Sequence, residues 1–146
     1  MLKQTLLILA MTLSLNTMAQ EADISKMGHF KLRKHLAENG YKTANGELIK
    51  VGDTLYLGKG TMPDKRFAFI YQSQVSPLSA TSLDGSDKAY LNSNAAGRKA
   101  IVKAFMTSGM RKGDYSIFAV VGVAEPVNYW VEINSALDAG EIKFNK

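Results

Sequence analysis

Residues 99–123, KAIVKAFMTSGMRKGDYSIFAVVGV, indicate the fold more directly than any other stretch of the chain. Two apolar runs flank the segment SGMRKGD, whose glycines and charged residues are typical of a turn. The second run is continuous and rich in β-branched residues, which predicts the most buried strand of a sheet. Because successive side chains of a strand alternate, the first run is expected to carry Val102, Ala104 and Met106 on one side and Ile101, Phe105 and the Lys103 stem on the other.

Turn signals and apolar alternation predict further strands before these runs. Turns are expected at Asn45-Gly46, Gly52-Asp53 and Pro63-Asp64. In LIKVGDTLYLGKG (48–60), Leu55 and Leu57 share one face of the strand that follows the second turn. In RFAFIYQSQ (66–74), one side carries Phe67, Phe69 and Tyr71 and the other carries Ala68 and Ile70. Because both sides are apolar, we expect this strand to be central or covered on both faces.

A first helix is expected from Asp23 to Gly40. Asp23 or Ser25 can cap its start, and Gly40 stands where a left-handed residue ends a helix. Gly28 weakens the helix by roughly 1 kcal/mol relative to alanine. Its basic residues form a solvated face: Lys26, Lys31, Arg33, Lys34 and Lys42.

A second helix is expected from Tyr129 to Ala139, capped by Asn128. Trp130, Ile133 and Leu137 recur at helical spacing, so we assign them to its core-facing stripe. Tyr129, one step round that helix, is expected to be more exposed. EIKF (141–144) is expected to be the closing strand.

These elements predict a mainly β domain with a minor α part, a small barrel of five to six mostly antiparallel strands. The KVGDTLYL stretch (50–57) resembles the Gly-Asp turn and apolar strand of SH3-like barrels, and a short helix before the last strand fits that layout. An OB-like barrel is the alternative, although it normally places its helix between the third and fourth strands. The chain also resembles small exported proteins of Gram-negative bacteria, which implies no particular activity.

The first 19 residues predict export. A basic start, an apolar run of about ten residues and small residues up to Ala19 are typical of a signal peptide, and the run is shorter than the ~20 residues of a membrane span. The chain has no cysteine, so it offers neither a lipidation site nor a disulfide. We expect a periplasmic or secreted protein with a signal peptide at 1–19, a helix or linker at 20–40, a barrel at 41–146 and a long polar loop at 73–99.

Motifs of catalysis, metal binding and cofactor binding are not found in the sequence. GKGTMPDK (58–65) lacks the spacing of a phosphate-binding loop. His29 and His35 would lie about 240° apart on a helix, so they cannot share a metal ion. DGSD (84–87) is too short for a calcium loop. We expect no metal, no cofactor and no catalytic residue, and we interpret three acids near the second helix as solvated: Glu132, Asp138 and Glu141.

Aromatic and basic residues are the stronger functional signal. Amphipathic rings beside loops are typical of binding faces, and the candidate ligand-binding residues are Tyr56, Arg66, Tyr71, Tyr115 and Tyr129. Further basic residues in or beside turns are Lys59, Lys65, Lys103, Arg111 and Lys112. The net charge of +5 favours anionic surfaces without identifying a partner, and the partners that match the predicted compartment are an anionic envelope glycan, an acidic peptide or a lipid headgroup. Predicted export argues against nucleic acid.

We therefore predict an exported, non-catalytic binding module for a protein, a peptide or an envelope glycan, with the 73–99 loop and Tyr129 near the ligand. One alternative is a small cell-envelope hydrolase that uses a histidine or an acid pair. Another is an assembly protein that adds a partner's strand to an open barrel edge.

Overall fold

The computed structural model of the protein describes residues 23–73, 88–109, 111–124 and 126–144. The predicted signal peptide at 1–19 lies outside these residues, as do residues 74–87 of the predicted polar loop. Within the described ranges the chain forms nine strands, two α-helices and two short 3₁₀ turns, at Ile24–Lys26 and Ser93–Ala95. The prediction of a mainly β protein with a minor α part is confirmed.

Seven of the strands form one antiparallel sheet. The strands are β1 Tyr41–Lys42, β2 Leu48–Ile49, β3 Thr54–Leu57, β4 Ile70–Ser73, β5 Lys88–Tyr90, β6 Lys99–Ser108, β7 Ser116–Gly122, β8 Asn128–Glu132 and β9 Ile142–Phe144, and the helices are α1 His29–Asn39 and α2 Ile133–Asp138. β1 and β2 form a separate two-stranded hairpin, and the order in the large sheet is β5-β4-β8-β7-β6-β3-β9. This sheet curls into a half-barrel, with one strand more than the upper end of the prediction. The short helix lies between the last two strands, as expected for an SH3-like layout and not for an OB-like one.

One face of the large sheet, the core face, carries the hydrophobic core. Directly opposed residues of four neighbouring strands form a buried row: Ile70, Val131, Ala119 and Phe105. Both helices pack into the same cluster, α1 through Leu32 and Leu36 and α2 through Ile133 and Ala136. The core therefore lies between this face of the sheet and the helices.

The predicted hairpin around the second apolar run is confirmed. β6 and β7 pair from Ile101 opposite Gly122 to Ser108 opposite Ser116, and β7 is the middle strand of the seven. The predicted turns are also present, since Gly46 and Gly52 adopt φ of 84° and 94° and Lys65 adopts φ of 66° beside Pro63-Asp64. Leu55 and Leu57 are both buried, as expected.

The predicted two faces of β6 are wrong beyond Val102. The register with β7 shifts between Val102 and Ala104, so Lys103 is an extra residue in a β-bulge. Phe105 consequently joins Val102 in the core cluster, whereas Ala104 and Met106 belong to the opposite face. A bulge resets the alternation that a regular strand would follow, and pairing with β7 determines where it occurs.

The predicted helix at 129–139 is wrong over its first four residues. Residues 128–132 form strand β8, held between β7 and β4, and α2 begins only at Ile133. The period of two places Tyr129 against the core cluster and leaves Trp130 outside it, so the core position predicted for Trp130 and the exposure predicted for Tyr129 are both wrong. Hydrogen bonds to two neighbouring strands outweigh the helical spacing of the apolar residues.

The sequence predicts that the strand at 66–74 is either central or covered on both faces. β4 lies second from one end of the sheet, so it is not central, but it is covered on both faces. Ile70 and Tyr71 point to opposite faces, and each is at most 2% exposed. Within 66–73, the described part of the predicted strand at 66–74, residues 70–73 are extended in the sheet. β5 and a 3₁₀ turn fall within 73–99, so this segment is not a loop throughout.

The predicted helix at 23–40 divides at Gly28. Before it, the Asp23 carboxylate accepts a hydrogen bond from the Ser25 amide at 3.1 Å and caps a 3₁₀ turn. After it, α1 runs to Asn39 and ends at Gly40, whose φ of 84° is the left-handed conformation expected there.

Glu141, predicted to be solvated, is fully buried. Its carboxylate accepts hydrogen bonds from the amides of Thr61, Ala68 and Phe69 at 2.7–3.0 Å and from the Thr61 hydroxyl. All these donors lie in the connection between β3 and β4. The carboxylate therefore ties this connection to the start of β9.

Candidate functional site

The face of the large sheet opposite the core, which we call the outer face, carries aromatic residues where a solvated antiparallel sheet is usually polar. Tyr90, Tyr71 and Trp130 stand directly opposite one another on β5, β4 and β8. Glu132 stands opposite Phe118 in the next row of β8 and β7. Tyr71 and Phe118 are only 2% and 7% exposed, yet neither belongs to the core cluster. The outer face thus has a small aromatic cluster of its own.

Tyr71 lies at the centre of a closed polar and aromatic group. Its hydroxyl donates to the Glu132 Oε1 at 2.8 Å, and the Lys88 ammonium lies 3.3 Å from the same oxygen. The Lys88 Nζ also lies 4.1 Å from the centroid of the Tyr71 ring, and the Tyr90 ring meets Tyr71 edge-on at 6.0 Å. Lys88, Tyr71, Tyr90 and Glu132, the tyrosine group, therefore bind three strands together on the outer face.

The electrostatics of this group keep its central hydrogen bond intact. Burial raises the pKa of the Tyr71 phenol well above its ordinary value, and the hydrogen bond to the Glu132 carboxylate and its negative charge raise it further. The phenol consequently remains a donor at any physiological pH. The group holds Tyr71 as a fixed support for its neighbours.

Trp130 and Tyr90 are half-buried rings beside Tyr71 and Phe118 on the outer face. The Trp130 ring lies 5.6 Å from that of Phe118, inclined by 44°, and Trp130 stands opposite Tyr71 in the sheet. Two partly exposed rings are thus backed by two buried ones. Such packing restricts their rotamers before any ligand arrives.

Arg66 joins this surface through Tyr90. Its guanidinium lies 5.7 Å from the centroid of the Tyr90 ring, and its Nε donates to Asp64. Hydrogen bonds from the Arg66 amide and then from its guanidinium lower the pKa of the Asp64 carboxyl. The structure therefore brings two predicted site residues, Arg66 and Tyr71, to the same part of the outer face.

A second group, the lysine group, lies on the outer face near the other end of the sheet. Tyr56 on β3 stands opposite Lys99 on β6 and Lys143 on β9, and the Lys99 Nζ lies 5.7 Å from the Tyr56 ring centroid. Both lysines are exposed, and neither forms an ion pair within the described residues. Ile101, two residues beyond Lys99 on β6, is 51% exposed beside them. Two ammonium groups without an ion pair in the described part of the chain thus flank one tyrosine.

The other two predicted site residues lie elsewhere. Tyr129 and Tyr115 both pack against the core cluster, and the Tyr115 ring lies 4.5 Å from that of His29. The structure therefore divides the five predicted residues into three places: Arg66 with Tyr71, Tyr56 in the lysine group, and Tyr115 and Tyr129 on the core side.

The two histidines are engaged in local contacts. The His29 Nε2 donates to the Gly109 carbonyl at 2.9 Å, since a carbonyl can only accept, and its Nδ1 lies 2.8 Å from the Thr107 hydroxyl. The His35 Nδ1 lies 3.1 Å from the Asn39 side-chain amide. In the part of the chain that the structure describes, no three metal-ligating side chains lie close enough together to hold an ion.

Sequence reasoning overlooked most of the outer face. It omitted six residues from the candidate site: Lys88, Tyr90, Lys99, Trp130, Glu132 and Lys143. The alternation in KAY and in NYWVE was the available signal, but the first stretch lies in a serine-rich segment and the second also fits a helix. Which strands stand side by side has no signature in the sequence.

No family model, curated protein or solved structure matches this chain. Across the described ranges, no helix has the length and apolar character needed to cross a bilayer. We therefore infer function from the geometry of the outer face.

Proposed function

We propose that the protein is an exported, non-catalytic binding module that holds an acidic glycan on the outer face of its sheet. The observation that supports this proposal is the presence of two aromatic groups on one face, one whose charges are paired and one whose lysines form no ion pair within the described residues. Four strand spacings of ~4.8 Å separate β4 from β3 along the sheet. A ligand several sugar rings long would contact both groups.

The aromatic part would supply contact area. Sugar rings present C–H groups that pack against the negative faces of aromatic rings, and Trp130 and Tyr90 are partly exposed for such contact. Tyr71 and Phe118 hold these rings in place from within the sheet. Because the rings are already ordered, little conformational entropy is lost on binding.

The lysine group would supply charge recognition. Carboxylate or sulfate groups of a glycan could approach Lys99 and Lys143 without first breaking an ion pair to any described residue. The net charge of +5 would also attract a polyanion over longer distances. Such binding would weaken as salt screens the charges.

A glycan fits this surface better than a peptide for a geometric reason. Peptides that bind β-sheets by strand addition use the free backbone groups of a sheet edge. The tyrosine and lysine groups instead project from the face of the sheet, where side chains make the contacts. Export through the predicted signal peptide is part of the same proposal, because it would place the protein beside envelope glycans.

The emission of Trp130, the only tryptophan of the chain, offers a direct test. We expect saturable changes with oligogalacturonate or heparin-derived oligosaccharides, little change with neutral malto-oligosaccharides, and weaker binding at high salt. Tyr90→Ala should weaken binding about tenfold, equivalent to loss of one aromatic contact.

The charge arm of the test uses two matched double variants. Lys99→Glu with Lys143→Glu should abolish binding of the acidic oligosaccharides. Lys31→Glu with Lys34→Glu makes the same change of charge on α1 and should leave binding within about twofold, because α1 packs on the core face of the sheet and not on the outer face. The proposal is wrong if neither acidic oligosaccharide binds, or if both double variants weaken binding equally.

A further inference from the structure

Phe30, the second residue of α1, is the most exposed large apolar side chain in the described ranges, at 83%. Lys34 lies one helical turn after it, and Lys31 lies beside it. Both lysines are exposed. Neither packing in the core nor the outer face accounts for an aromatic ring that is this exposed and surrounded by lysines.

The charge around Phe30 is strongly positive. Residues 23–42 contain five basic and two acidic residues. The Lys34–Glu38 pair is long, at 3.9 Å, and its side chains are 68% and 60% exposed, so water screens it effectively. The segment therefore keeps most of its positive potential.

The core fixes the direction in which Phe30 points. Leu32 and Leu36, on the opposite side of α1, are each 1% exposed within the core cluster. His29 links the start of the helix to Thr107 and Gly109 near the end of β6. Rotation of α1 that would bury Phe30 is thereby prevented.

We propose that the Phe30 face of α1, formed by Phe30, Lys31 and Lys34, associates with an anionic lipid surface. A single ring on a convex helix offers a protein partner little area, whereas the headgroup region of a bilayer can deform to admit one ring. Exposed aromatic residues among lysines are the features by which amphipathic helices bind anionic membranes. This surface shares no residue with the outer face, so the proposal stands independently of the proposed function.

Vesicle sedimentation tests this proposal with the protein as isolated from expressing cells, every variant having the same N-terminus. The wild-type protein should bind vesicles of equal parts phosphatidylglycerol and phosphatidylcholine, and bind phosphatidylcholine vesicles at least tenfold more weakly. Binding should decrease as salt is raised from about 0.1 M to about 1 M, where the Debye length shrinks to ~3 Å. Phe30→Ala should weaken binding about tenfold, and Lys31→Glu with Lys34→Glu by more than tenfold.

Two matched variants serve as controls. Leu48→Ala removes another exposed apolar side chain, one that is 51% exposed on β2, and Lys99→Glu with Lys143→Glu makes the same change of charge on the outer face. Both should retain wild-type vesicle binding, and circular dichroism should show that all variants fold. The proposal is overturned if anionic vesicles bind no better than neutral ones, or if the α1 variants bind vesicles like the wild-type protein.

Discussion

At the scale of single residues, the buried carboxylate of Glu141 holds the connection between β3 and β4 in place. It accepts hydrogen bonds from three backbone amides and one hydroxyl. Without it, these donors of the connection from β3 to β4 would be buried without a hydrogen-bond acceptor. Charge-assisted hydrogen bonds of this kind are about twice as strong as neutral ones.

Glu141→Gln should destabilise the fold by roughly 3 kcal/mol, because the new side-chain amide would face backbone amides and leave buried donors unsatisfied. Urea unfolding measures the effect. Asp138→Asn, the same chemical change at an exposed position of α2, should alter stability by less than about 0.5 kcal/mol. Equal midpoints for the two variants would contradict the structural role of Glu141.

The Tyr71 phenol makes the stability of the fold depend on pH in the alkaline range. Its pKa is raised in the folded state, so its contribution to stability is complete below the unfolded value of about 10 and declines above it as the unfolded chain ionises. Tyr71→Phe should therefore lose less stability between neutral pH and about pH 11 than the wild-type protein does. Denaturant unfolding at both pH values tests this, with Tyr56→Phe as the control. Parallel losses in wild type and Tyr71→Phe would refute the prediction.

At the scale of elements, a close approach joins the end of β3 to the turn before β9. A Cβ atom added at Gly58 would collide with the backbone carbonyl of Gly140, and a backbone atom cannot move aside as a flexible side chain can. At Gly46, by contrast, a Cβ would meet open space, although φ of 84° disfavours other residues. The same substitution thus has different costs at the two glycines.

Gly58→Ala should lower stability by about 3 kcal/mol, the upper range for overpacking, and Gly46→Ala by about 1 kcal/mol from backbone strain. Thermal unfolding followed by circular dichroism would measure both. If Gly46→Ala lowers stability more than Gly58→Ala does, the close approach of Gly58 to Gly140 is not what makes glycine necessary at position 58.

At the scale of the whole molecule, two basic surfaces lie on opposite sides of the sheet, although the sequence does not show which basic residues belong to which surface. The basic residues of α1 and those of the lysine group contribute to one net charge, yet α1 packs on the core face of the sheet and the lysine group lies on the outer face. The two double charge-reversal variants are consequently each other's controls. Glycan binding should respond to one and vesicle binding to the other.

The sequence by itself determined the features that depend on neighbouring residues. Gly40, Gly46 and Gly52 end or turn elements because glycine adopts positive φ without strain. The continuous apolar run at 117–123 became the middle strand because few other arrangements bury it. Both features depend on residues that are neighbours in the chain.

Only the tertiary structure decided the features that depend on residues far apart in the chain. Pairing with β7 created the bulge at Lys103, and pairing with β7 and β4 made a strand of 128–132, which moved Trp130 to the outer face. The burial of Glu141 depends on donors at least 72 residues earlier. Strand order and register bring together side chains that are far apart in the sequence. The tyrosine group and the lysine group therefore exist only in the assembled sheet.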